Sequence, residues 1–178
     1  MKIKIVVAPY YFYNAFMPPM GIGIVSAALT KYGIKHEIDD LYVRLYHALK
    51  NNLIDINVFL DQGSVRDFIN NGSCGEVRSE TEKIMRLTDF KGYDYICFSG
   101  HYPPLDLINS QTIIACLIKL IKEMYNPLIV TNFGLDNFKG ARLIDLYTED
   151  INLFIEFLKI KKNNSFCKSR ESDSKFHN

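Results

Sequence analysis

Apolar and polar positions alternate between two periods along this chain. Lys2–Ala8 contains a continuous β-type run, Ile3-Lys4-Ile5-Val6-Val7, closed by Pro9, which predicts a strand buried in a parallel sheet. Ile22, Val25, Ser26, Leu29 and Tyr32 then share one helical face, and Gly33 stops that helix. Ile34–Asp40 reads as a second strand of mixed pattern, and Leu41–Lys50 as a helix. Asn51–Gly75 carries Asn-Asn, Gln-Gly and Asn-Gly punctuation in place of a clear period. Glu76–Leu87 reads as a polar helix with Val77, Ile84 and Leu87 as its apolar contacts. Its Glu80, Glu82, Lys83 and Arg86 suit a solvated face of i,i+3 and i,i+4 pairs. Tyr93–Ser99 is a third strand, and Asp106 stands where it can cap a long helix through Met124. Pro127–Thr131 is a fourth strand and Arg142–Tyr147 a weak fifth. Thr148 can cap a last helix with Ile151, Phe154, Ile155 and Leu158 on its buried stripe. Residues 1–162 thus form one predicted domain, and residues 163–178 have little to bury and read as a disordered tail.

Strands alternating with helices predict an α/β fold: a doubly wound parallel sheet of about five strands in three layers. The right-handed crossover rule leaves few topologies, and the flavodoxin-like order, with the first strand central, is the expectation. Such sheets bind ligands beyond the carboxyl ends of their strands, where the strand order reverses. Pro9–Met20, Ser99–Pro104 and Thr131–Asp136 would converge there.

Composition narrows the partners. The chain has 178 residues, 48% hydrophobic, with 21 basic against 20 acidic residues and a net charge of +1. That balance gives no long-range field for gathering nucleic acid or an acidic membrane surface. No apolar run approaches the roughly 18 residues of a membrane span; Ile113–Ile121 comes nearest in character. The first seven residues lack a signal peptide's apolar region and cleavage site, so a cytoplasmic location is expected. Cys74, Cys97, Cys116 and Cys167 are scattered, without the spacing of a metal site or of an iron–sulfur cluster, and read as ordinary thiols.

Candidate chemistry concentrates near the first helix. Gly21-Ile22-Gly23 is a near miss to the dinucleotide fingerprint, with Asp39 or Asp40 close to the ribose-binding position. The fingerprint needs its first glycine in a tight turn directly after the strand, whereas here Pro9 to Met20 intervene. That segment carries five aromatics, Tyr10, Tyr11, Phe12, Tyr13 and Phe16. Solvated, they would form a large apolar patch, so they either cover the sheet, meet a partner chain or wall a flat cofactor. Gly21 and Gly23 are expected to let the helix approach the first strand closely and leave its N–H groups open to a ligand.

Pro18-Pro19-Met20-Gly21-Ile22-Gly23, then Ala27-Ala28-Leu29, Gly33 and Asp39-Asp40-Leu41, resembles the N-terminal cobalamin-binding domain of cobalamin-dependent radical SAM enzymes. Tyr93-Asp94-Tyr95-Ile96-Cys97-Phe98-Ser99-Gly100 resembles that family's third strand, and Pro127-Leu128-Ile129-Val130-Thr131 its fourth. The resemblance spans about residues 1 to 160 and is most specific over 18 to 41. It implies a corrin held by Tyr11, Tyr13, Pro19, Gly21, Gly23, Ser99, Gly100, Thr131 and Gly134, with no protein ligand to cobalt. The chain departs from the family at Asn132-Phe133-Gly134, where a Gly-Gly is usual, and at Thr148-Glu149-Asp150, where Gly-Glu-Gly-Glu is usual. It also lacks the Asp-x-His-x-x-Gly signature that supplies an imidazole to cobalt in another cobalamin-binding group. No radical SAM barrel follows and no triplet of cluster cysteines is present, so this chain alone cannot perform radical SAM chemistry.

His101 could face a cofactor, although a loop histidine in a Tyr-Pro-Pro setting is more often a turn residue. His36, His47 and His177 show no partner spacing for metal or acid–base work, and no Ser-His-Asp order is readable. The expectation is a cobalamin-binding module, working with a separate radical SAM partner or as a homo-oligomer. An interaction module with a degenerate cofactor site is one alternative. A small nucleotide- or S-adenosylmethionine-binding enzyme using Gly21, Gly23 and Asp40 is the other.

Overall fold

The computed structural model describes residues 1–8, 20–99, 107–132, 135, 142–148 and 150–159. Its elements in chain order are β1 (Ile3–Val7), α1 (Met20–Lys31), β2 (His36–Asp40) and α2 (Leu41–Lys50). A 3-10 turn (Ile56–Phe59), α3 (Gln62–Asn71) and α4 (Gly75–Met85) follow. Then come β3 (Tyr95–Ser99), α5 (Leu107–Tyr125), β4 (Leu128–Thr131), β5 (Leu146–Tyr147) and a last helix, α6, over residues 151–159. The five strands are all parallel in the order β2-β1-β3-β4-β5, the flavodoxin-like arrangement expected from the periods of the sequence.

Alternation along the central strands divides the core in two. Ile3, Ile5, Val7, Tyr95, Cys97 and Val130 pack on one side against Ile22 and Leu29 of α1 and Phe154, Ile155 and Leu158 of α6. Val6, Ala8, Ile96, Phe98 and Ile129 point the other way, toward α2 and α5. Every residue from Gln111 to Ile118 is buried, because α5 lies between the sheet and the α3–α4 pair. A helix with apolar character all round needs cover on both sides. That accounts for the membrane-like look of Ile113–Ile121, and among the described residues no helix is long and apolar enough to cross a membrane. Cys97 and Cys116 are buried free thiols in these two cores.

Local departures from the expected elements have identifiable causes. The segment of turn-like punctuation holds α3, bracketed by Asp61, whose side chain accepts from Gly63 N–H, and by Gly72 in the left-handed region. Tyr32 lies past the end of α1 and is 48% exposed, with Lys159 Nζ 4.7 Å from its ring centre, so it does not extend the buried stripe. Glu80 is buried and accepts from Asp55 N–H and Lys83 Nζ, so it is a strut, whereas Arg78–Glu82 is an ordinary i,i+4 pair. The last helix is capped by Asp150, which accepts from Asn152 N–H, while Thr148 Oγ1 accepts from Asp150 N–H. The fifth strand is only Leu146–Tyr147; just before it Asp145 N–H donates to Ile129 O at 2.9 Å, while the Asp145 side chain accepts from Ile129 N–H at 2.8 Å and from Lys122 Nζ at 2.9 Å. The expected cap Asp106, the ligand-edge His101 and the 163–178 tail lie outside the described residues.

Candidate functional site

All five strands are parallel, so their carboxyl ends share one edge. Asp40, Val7 and Ser99 lie side by side there, since Val7 pairs with both of the others, and Phe98 pairs with Thr131 on the next strand. The ladder runs one step further, with Ala8 N–H donating to Ser99 O at 2.9 Å and Thr148 N–H to Thr131 O at 3.0 Å. The strand order reverses between β1 and β3, where a doubly wound sheet opens its crevice. Residues 9–19 leave from β1 and residues 100–106 from β3 at this point, and α1 starts at the same edge.

The expected site residues divide by location. Tyr11, Tyr13, Pro19, Gly100 and Gly134, together with Phe133, lie outside the described residues. Gly21 falls in the first turn of α1. Gly23, one turn in, is exposed, and a Cβ built there meets nothing within 4 Å. The expectation that Gly23 serves close packing of α1 on β1 is therefore corrected: the glycine faces open space. Ser99 is half-buried and shares the strand parity of Tyr95 and Cys97, which places it on the α1/α6 side. Thr131 shares the parity of Ile129, on the α5 side, and is 1% exposed. Adjacent strand ends thus send the two expected hydroxyls to opposite faces of the sheet.

The acidic pair that ends β2 is occupied. Asp40 caps α2, its Oδ1 accepting from Val43 N–H at 3.0 Å. Asp39 is buried between Lys4 Nζ at 3.4 Å and Arg44 Nε at 3.0 Å. Lys4, itself 4% exposed, donates to Asp89 O at 2.6 Å and stands over the Tyr93 ring, whose hydroxyl donates to Glu37. Burial, then the Glu37 hydrogen bond, pushes the Tyr93 phenol up to about 12. This cluster was hidden in the sequence, where Lys4 interrupts an apolar strand; an interrupting lysine in a buried strand calls for a carboxylate partner.

A second association escaped linear reading. Ser26 Oγ lies 2.7 Å from His36 Nε2, and His36 Nδ1 lies 3.0 Å from Ile34 O. The signal was present as the single hydroxyl on the inner stripe of α1. Among the described residues no group of three or more His, Cys, Asp and Glu is placed to hold a metal ion. No protein-family model, no curated protein and no solved structure matches this chain.

Proposed function

We propose that the carboxyl edge of this sheet is a cofactor site of the flavodoxin-like kind and that cobalamin is its ligand. One observation supports the reading above the others: the first turns of α1, open to solvent at Gly23, and the half-buried Ser99 hydroxyl share one face of the sheet beside the β1/β3 reversal. A corrin has a broad apolar rim and amide arms that need hydrogen-bond partners, so helix N–H groups and a hydroxyl suit its edge. On this reading Tyr11 and Tyr13 supply aromatic walls, and Pro19, Gly21, Gly100 and Gly134 let the backbone come close. Buried Thr131 has little surface to offer a ligand as the chain stands. Bound cobalamin supplies a cobalt centre able to carry a methyl group or an electron. The chain's own part is to bind and orient it for a separate radical SAM protein. Hydroxocobalamin added to the protein should give a saturable change in its visible spectrum that survives desalting. A linear, non-saturating titration rejects the reading.

The interaction-module reading keeps one specific observation in its favour. Ile24 of α1, Leu153 of α6 and Tyr147 of β5 are exposed apolar side chains, two of them on the layer that flanks the proposed site. The nucleotide-binding alternative is weakened by the occupied Asp39 and Asp40.

A further inference from the structure

Ser26 and His36 have the relations of a nucleophile and its base. Ile34 O can only accept, so the Nδ1 of His36 carries the proton in its 3.0 Å contact. In the neutral ring Nε2 then holds a lone pair, and the Ser26 hydroxyl at 2.7 Å donates to it. The serine is thus aligned with a base whose tautomer and orientation are fixed by a third group, the geometry shared by activated serines on unrelated folds. Both residues are half-buried. The hydroxyl stands on a helix stripe otherwise made of Ile22, Val25 and Leu29, where helix packing alone calls for an apolar side chain. His36 opens β2, at the opposite end of the sheet from the carboxyl edge, so the pair is separate from the cofactor site and does not depend on it.

We propose that Ser26 is a nucleophilic serine, with His36 as its general base, acting on carboxylic esters. In the first step Ser26 Oγ forms a bond to the ester carbonyl carbon while its proton passes to His36 Nε2. The carbon–oxygen bond to the alcohol breaks, and the departing alkoxide takes that proton. Water then attacks the acyl-serine carbon, giving one proton to His36 Nε2; the bond from that carbon to Ser26 Oγ breaks, Oγ takes the proton back from His36, and the carboxylic acid leaves.

A small alkyl fluorophosphonate tests this on the full chain, since its reaction with a serine forms a phosphorus–oxygen bond and expels fluoride. Intact mass followed by peptide mapping should find one adduct on Ser26 in the folded protein and none in protein unfolded in urea. The His36→Gln variant, able to keep a hydrogen bond to Ser26 without a basic nitrogen, should label at least about 100-fold more slowly. Absence of an adduct on Ser26 in the folded parent overturns the proposal whatever the variant does. Labelling of a folded His36→Gln protein at the parent rate overturns the assigned base.

Discussion

At Gly23 the demands of folding and of the proposed cofactor site differ. The residue sits inside α1 with open space where a Cβ would stand, so alanine meets no steric obstacle. Glycine inside a helix costs stability relative to alanine, through the backbone freedom it loses on folding. Gly23→Ala should therefore raise the unfolding free energy by about 0.5–1 kcal/mol, read from the midpoint of a urea titration. If the surface over Gly23 is where the corrin lies, the same variant should bind hydroxocobalamin more weakly while folding better. An unchanged titration would remove Gly23 from the site. Single residues were the least legible part of the sequence. Asp40 stood near a ribose-binding position by spacing, yet spacing does not distinguish a ligand carboxylate from the N-cap that Asp40 became. Ser99 and Thr131 looked equivalent as strand-end hydroxyls, but the one-residue offset between their strands sends them to opposite faces.

Among the elements, those with a long apolar period were readable and those held by side-chain struts were not. Strands β1, β3 and β4 and helix α5 announce themselves because burial on both sides demands mostly apolar residues, with Lys4 the exception in β1. α3 was hidden because Gln62-Gly63 resembles a turn, although Asp61 and Gly72 bracket ten helical residues. β5 is brief for another reason: only two residues pair directly, and just before them the Asp145 side chain takes the Ile129 N–H. Asp145 joins three elements, receiving the buried Ile129 N–H of β4 and Lys122 of α5 just before β5 begins. Asp145→Ala would leave that N–H without its acceptor, at a cost of about 1–3 kcal/mol. For a chain of this size each kcal/mol corresponds to about 2–4 °C in melting temperature. Asp145→Asn, keeping an oxygen for Ile129 while losing the charge for Lys122, should recover most of the difference. A melting temperature unaffected by Asp145→Ala would show that the ladder does not depend on this strut.

Over the whole molecule the charges are nearly balanced, and among the described residues the phenols of Tyr93 and Tyr95 and the thiols of Cys97 and Cys116 are weak acids kept neutral by the fold. Burial is the leading cause in each, and it pushes Tyr93 from 10.0 and Cys116 from 9.0 up to about 12. The direction fixes the sign of the pH dependence. A raised acid pKa means that the folded state holds its proton where the unfolded chain has released it. The resulting stability is complete below the unfolded values and is lost as pH climbs from about 9 toward about 12. Melting temperature should therefore hold level between pH 7 and 8.5 and then fall steadily to pH 11. The fall should be steeper than the ordinary titration of exposed tyrosines and lysines produces. Tyr93→Phe identifies the contribution of one group. It removes the phenol proton together with the hydrogen bond to Glu37, so the variant should be less stable than the parent at pH 7. The gap should then narrow as the pH passes 10, because the phenol that stabilised the parent is the one that must ionise on unfolding. Parallel curves for the two proteins up to pH 11 would mean that Tyr93 is not held neutral by the fold.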